Sequence, residues 1–322
     1  MVARWRARWS DWPGTARQGP GTGHTAGQPS AWPLRLSTYP IGTARPKLRS
    51  VDPRVSHETH SVISSCTDHP TNQLLAALPP ECSDAIQSRL EAVEINANAL
   101  LYEAGMVLRH VYFPVTAVVS LVSPLRDGSC AEVAVVGHEG VVGVCAFMGG
   151  GKALSSAVVQ RPGLAWRMSA RDIAELARGA EPVMQQLLRY TQALFTHMAQ
   201  TSACNRHHLL DTQLCRWLLQ HLDRQTGDEL KVTQERIAGL LGVRREGITA
   251  AALKLQRAGL IRYGRGCIQV LDRRGLEQNS CECYSVVRQA YERLCDGASA
   301  WPRPPGAGPS GRSRPAPFGC TA

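Results

Sequence analysis

Apolar and polar positions change rhythm three times along this chain. Asn72–Leu78 (NQLLAAL) is a short helical run ended by Pro79-Pro80, and a second helix is predicted over Cys82–Leu90. Between residues 111 and 166 the apolar residues come in short β-branched and aromatic runs. The stretch VYFPVTAVVSLV (111–122) leads through a predicted hairpin turn at Arg126-Asp127-Gly128-Ser129 into Ala131–Val136. Val141–Val144, Ser156–Gln160 and Gly163–Trp166 continue the pattern. Short strands at close spacing, joined by glycine-containing turns, predict a sandwich or jelly-roll barrel.

From Ser169 the period becomes helical. Ser169 with Asp172 three residues on resembles a capping box. A longer helix is predicted over about 181–206, where Val183, Leu187, Tyr190, Leu194 and Met198 recur at steps of three and four. That spacing places one apolar stripe along four turns or more. The stripe suits either core against the barrel or a two-fold helix seam. A helix that links two domains has fewer core partners, which favours the seam.

The third rhythm, Lys231–Leu271, is the most informative. Thr233 is a predicted N-cap and Glu235 sits in the first turn, where the helix dipole favours an acid. Ile237, Leu240 and Leu241 share a face, and Gly242 is placed to end the helix with positive φ. A second helix begins at about Arg244, buries Ile248, Ala252 and Leu255, and ends at Gly259. Small residues at Ala238, Gly239, Ala251 and Ala252 let the two helices cross closely. Leu260–Tyr263, a Gly264-Arg265-Gly266 turn and Cys267–Leu271 then form a hairpin, so the unit reads as a winged helix–turn–helix.

Composition changes this picture mainly through charge. The net charge is +10, but residues 1–55 contribute +7 and residues 297–322 contribute +3, so residues 56–296 sum to zero. Within that neutral middle, residues 231–274 hold ten basic and three acidic side chains, whereas residues 56–206 hold ten basic and thirteen acidic. The basic excess lies on the predicted reader, which points to double-stranded DNA. No segment has the length of apolar residues needed to span a membrane, and the N-terminus lacks the apolar core of a signal peptide. A cytoplasmic protein with reduced thiols and no membrane association is the expectation.

The two ends read as disordered. Residues 1–68 form a Gly/Pro/Arg-rich leader, and the next methionine after Met1 is Met106. The leader reads either as a mis-set start, with the true start at a non-methionine codon near Val51, Val55 or Val62, or as a basic tail that aids DNA association. The boundaries that follow are 69–180 for the sensor barrel, 181–206 for the dimerisation helix, 207–296 for the winged helix–turn–helix, and 297–322 for the tail.

The N-terminal end of a recognition helix enters the major groove. There Arg bridges guanine O6 and N7, and Glu accepts from cytosine N4. Arg244, Arg245, Glu246 and Thr249 are the predicted base readers. Thr233 and Gln234 at a helix N-terminus, with Arg262, Tyr263 and Arg265 on the wing, are the predicted backbone contacts.

With VYFPVTAVVSLV, GHEGVVG (137–143) and TQERIAGLLGVRREGIT (233–249) in this order, the chain resembles the Crp–Fnr family of bacterial transcription regulators over about residues 72–296. The resemblance implies an α+β architecture: an N-terminal β-roll or jelly-roll sensor like a cyclic-nucleotide-binding domain, a long dimerisation helix and a C-terminal winged helix–turn–helix. It also implies a homodimer on an inverted-repeat operator that contacts RNA polymerase. Arg245-Glu246 matches the family's base-reading pair, while the later reading position falls on Ala250. The phosphate-binding Arg-Ser pair aligns with Ser155-Ser156, so the arginine is missing; Ser155, Ser156 and Glu139 are the candidate effector-pocket residues.

No cofactor is predicted. Cyclic AMP is disfavoured by the missing arginine, for which the flexible Lys152 is a weak substitute. An iron–sulfur cluster is disfavoured because Cys66 and Cys82 lie apart and no tight cysteine triplet exists. Haem is disfavoured because His110 and His138 read as surface or loop residues. Cys281-Glu282-Cys283, with Cys295 beyond, departs from zinc-knuckle spacing and reads as thiols on a C-terminal helix over about 275–295, so no metal site is predicted. Two other function classes stand beside the regulator: a ligand-binding or protein-interaction module without specific DNA binding, and a jelly-roll metalloenzyme. The barrel has no H-x-H pair and no nucleophile motif, so no enzyme is expected.

Overall fold

The computed structural model describes residues 72–78 and 80–295. The predicted leader and tail, Cys66 and the side chain of Cys295 lie outside the described residues.

Two short helices open the described chain, α1 (Gln73–Ala76) and α2 (Ser83–Gln87). The strands β1 (Glu91–Ile95), β2 (Leu100–Tyr102), β3 (His110–Pro114), β4 (Val118–Pro124), β5 (Cys130–Val136), β6 (Ser156–Arg161) and β7 (Gly163–Ser169) follow. They form two antiparallel sheets, in the order β1-β7-β3 and β2-β6-β4-β5. Val111, Phe113, Ala165 and Met168 of the first sheet and Val119, Leu121, Val136, Ala157 and Val159 of the second all bury their side chains in one core. The predicted turn forms: Asp127 Oδ1 accepts from Ser129 N and Oγ, and Gly128 takes φ +87°.

The predicted strand Val141–Val144 does not form. Only Val142 bridges to Tyr112; Gly143 then turns to φ +108° and a single 3-10 turn follows over Val144–Ala146. β1 and β2 carry no clear sequence signal, because their side chains are mostly exposed or half-buried and no alternation marks them.

Ser169 caps α3 (Ala170–Gly179) by accepting from Asp172 N, as the sequence predicts. The long helix is α4 (Glu181–His207), of 27 residues. The seam prediction is corrected here. Val183, Leu187, Tyr190 and Leu194 are at most 1% exposed, buried within this chain against α3, β5 and α9 (Glu282–Cys295), and Met198 is half-buried at the same core. Burying four such side chains is worth roughly 1.5–3 kcal/mol each, so the stripe cannot be turned outward to meet a second chain. The exposed large apolar residues of α4 are instead Leu188 and Phe195.

The C-terminal unit contains α5 (Leu210–Leu222), β8 (Glu229–Lys231), α6 (Gln234–Leu241), α7 (Arg245–Arg257), β9 (Ile261–Gly264), β10 (Cys267–Val270), α8 (Arg273–Asn279) and α9. The wing is a three-stranded sheet in the order β8-β10-β9, one strand more than the sequence predicts. Leu214, Leu218, Ile237, Leu240, Leu241, Ile248, Ala252, Leu255, Ile261 and Ile268 fill its core. Gly239 faces open space rather than the helix crossing. The predicted single helix over 275–295 is two helices, α8 and α9, separated by the extended backbone of Ser280. Among the described residues no helix is long and apolar enough to cross a membrane.

Candidate nucleic-acid interface

The helix–turn–helix is built from local signals. Thr233 Oγ1 accepts from Arg236 N and caps α6. Gly242 ends α6 at φ +68°, a conformation that costs glycine little. Arg244 is the N-cap of α7 without a side-chain capping bond, which leaves its guanidinium outside the helix. Ile248, Ala251, Ala252 and Leu255 anchor α7 in the core. The opposite edge therefore presents Arg244, Arg245 and Glu246, all exposed.

Thr249 is half-buried. Its hydroxyl donates to Gln234 Oε1 at 2.7 Å, tying α7 to the start of α6. Thr233, Gln234 and Thr249 thus have structural duties at this edge, whereas the arginines do not. Arg245 Nε lies 3.9 Å from Glu235 Oε2, with both side chains more than 60% exposed. Such an exposed pair is worth at most about 1 kcal/mol, so it does little to hold Arg245 in place. On the wing, Arg262 and Arg265 are exposed, Tyr263 is half-buried and Arg265 sits at the tip with φ +43°. Two of the basic residues counted toward the reader turn elsewhere: Lys254 pairs with Asp211, and Arg273 pairs with Asp223 and Glu277.

The predicted effector residues do not converge. Ser155 is buried, and Ser156 Oγ accepts from Ala104 N at 3.1 Å. Glu139 turns toward Arg224, just beyond α5, and pairs with it. Lys152 is exposed. Among the described residues the roll buries no Arg or Lys; its buried charged side chains are Glu132 and Glu139.

Those two carboxylates form a junction that the sequence reading missed. Trp217 Nε1 donates to Glu132 Oε1 at 2.8 Å, and Ser120 Oγ donates to Oε2. His221 Nδ1 donates to Trp217 O at 2.9 Å, which turns Nε2 toward Glu132 Oε2, 3.5 Å away. Burial alone would raise the Glu132 pKa. The His221 ring, with the Ser120 and Trp217 donors, holds it below the usual value. At the second contact Arg224 Nε donates to Glu139 Oε1 at 2.6 Å, with the side chains 5% and 10% exposed.

Arg224 also donates to Gln220 O and lies 5.2 Å from the centre of the Tyr291 ring. Gly137 and Gly140 make this close approach feasible. A Cβ on Gly137 would stand 2.7 Å from Arg224 Cβ, and one on Gly140 would stand 2.2 Å from the Tyr190 ring. The available signal was Trp217, His221 and Arg224, polar groups at helical spacing on an otherwise apolar face.

Residues 92–179 match the family model described as the cyclic nucleotide-binding domain, and residues 212–279 match the Crp-like helix-turn-helix domain. No curated protein matches the chain in sequence. Solved structures share the fold. A protein assigned to the crp/fnr family of transcriptional regulators from Eubacterium rectale is 19% identical over 64% of this chain and 96% of its own, with a TM-score of 0.53. FixK2 from Bradyrhizobium japonicum is 17% identical over 60% of this chain and 98% of its own, with a TM-score of 0.51. TTHB099, a CRP-family transcriptional regulator from Thermus thermophilus, is 20% identical over 58% and 96%, with a TM-score of 0.50. With a roll of the cyclic-nucleotide-binding type followed by a Crp-like helix–turn–helix, in a fold shared with these regulators, the chain belongs to the Crp–Fnr family of transcription regulators.

Proposed function

We propose that this protein is a homodimeric regulator that reads an inverted-repeat DNA operator, with a roll that answers to something other than a cyclic nucleotide. The observation that carries the reading is the exposed edge of Arg244, Arg245 and Glu246 at the start of α7, together with the exposed Arg262 and Arg265 of the wing. Arg245 and Glu246 read bases; Arg244 shares the reading. Ala250 is exposed at the next turn and offers no hydrogen bond, so the operator differs from those read by an arginine there. The backbone N–H groups behind Thr233 and Gln234, with Arg262, Tyr263 and Arg265, hold phosphates.

Two copies meet through the α4 face that carries Leu188 and Phe195, which sets two α7 helices about 34–36 Å apart, one turn of DNA. A signal at the roll reaches α5 through Glu132 and Glu139 and shifts the population of DNA-competent dimers, whose output is on RNA polymerase. The protein works as a binding switch and not as an enzyme.

Gel retardation on inverted-repeat promoter fragments tests this. Binding should weaken steeply with salt. Arg245→Ala should lose roughly 1–3 kcal/mol on the specific site and much less on random DNA. Equal loss on both would make Arg245 a phosphate contact only and overturn the assignment of base reading.

A further inference from the structure

Where α4 ends and α9 begins, three thiols and an imidazole meet. Cys204 lies in the last turn of α4 and His208 follows one turn later as its C-cap. Cys281 stands immediately before α9, and Cys283 is in its first turn. All three cysteines are free and buried. One ligand atom from each of Cys204, His208, Cys281 and Cys283 lies within 4.8 Å of the others. Cys204 Sγ is 3.5 Å from Cys281 Sγ, and Cys283 Sγ is 3.6 Å from His208 Nδ1. In a tetrahedron around Zn2+ with bonds of about 2.1–2.3 Å, neighbouring ligand atoms stand about 3.5–3.8 Å apart. Two edges of such a tetrahedron are therefore already present, and the remaining atoms need to close in by about 1 Å or less.

We propose that Cys204, His208, Cys281 and Cys283 bind one Zn2+ ion in a closed Cys3His site that clamps the end of α4 to the start of α9. Two features outside the four ligand atoms support it. First, His208 turns Nδ1 toward the sulfurs while its Nε2 lies 3.5 Å from Glu282 Oε1. A carboxylate behind a histidine fixes the ring for ligation through the other nitrogen.

Second, the charge balances. Zn2+ with three thiolates carries one net negative charge. Arg216 is 1% exposed and held by Thr201, Gln220 and Asn205; its Nε has no partner, and it has no carboxylate partner among the described residues. A buried guanidinium without a counter-ion is costly, and a zinc–thiolate centre beside it supplies the missing negative charge. The Arg216 partners Thr201 and Asn205 flank Cys204 on α4.

The three thiols release their protons to solvent as the metal binds. A Cys204–Cys281 disulfide is the competing chemistry at this spot. It would leave Cys283, His208 and the carboxylate behind it without a role. With four protein ligands the ion has no open position, so the site is structural rather than catalytic.

The full chain, purified under reducing conditions and supplied with Zn2+ before desalting, tests the proposal by elemental analysis. The expected content is about one zinc per chain, and Co2+ in its place should give the thiolate charge-transfer and tetrahedral d–d bands. Cys281→Ser with Cys283→Ser should abolish both. His208→Cys should keep the metal and strengthen the thiolate band, which guards against a loss caused by misfolding alone. Less than about a tenth of an equivalent in the wild-type protein would overturn the proposal. So would full metal content in the double variant, or a Cys204–Cys281 disulfide found by mass spectrometry in the reduced preparation.

Discussion

Arg224→Met is the sharpest probe of how the roll is joined to the DNA-binding unit. It removes the guanidinium that meets Glu139 at 2.6 Å and leaves that carboxylate 10% exposed. Glu139 then keeps Gly137 N, at 3.1–3.2 Å from its two oxygens, as its protein donor. Removing one partner of a buried pair costs about 3–5 kcal/mol, because the charge left behind is neither solvated nor matched. Methionine retains much of the arginine stem, so little of the loss comes from a cavity, while the guanidinium over the Tyr291 ring is lost together with the charge.

The described part of the chain comprises 223 residues. At that size each kcal/mol shifts Tm by about 2–4 °C, so the variant should melt roughly 6–20 °C below wild type. Circular dichroism during heating, with urea titration alongside, measures this. Glu139→Gln added to Arg224→Met removes the stranded charge and should recover more than half of the loss. A shift below about 2 °C in the single variant, or a double variant no better than the single, would refute the reasoning.

Two further outcomes follow from the same structure. The folded pKa of Glu132 lies below its unfolded value, so its stabilisation is complete above about pH 4.3 and is lost as pH falls through the lower folded pKa. Acid unfolding should therefore show a limb below about pH 4 that Glu132→Gln lacks, and an unchanged limb in the variant would count against this pairing. Phe195 is 47% exposed on α4 while Val183 is fully buried. Phe195→Glu should give a folded monomer in light scattering and Val183→Glu an unfolded chain; a Phe195→Glu dimer would move the interface elsewhere.

The reader was legible because its signals are local. The Thr233 cap, the positive-φ Gly242 and the step-three, step-four spacing of Ile237, Leu240 and Leu241 each act within one or two turns, and all three appear as expected. The strands that alternate cleanly were legible for the same reason. Periodicity also marked the Val183–Leu194 stripe as buried, but a period says only that one face leaves water, not what covers it. α9, more than 80 residues downstream, takes part in covering it, and the seam expectation failed on that point.

The same separation hid the chemistry. Glu132 and Trp217, like Glu139 and Arg224, stand 85 residues apart, and Cys204 stands 77 from Cys281. Read along the chain, Glu139 is a roll carboxylate, Arg216 an ordinary arginine and Cys281-Glu282-Cys283 a poorly spaced motif. The sequence by itself determined the order of elements, their caps and the basic edge that faces outward, because backbone geometry and periodic burial are set by near neighbours. Only the tertiary structure decided which buried charges pair and which thiols converge, because those depend on distances between segments that no local rule of spacing encodes.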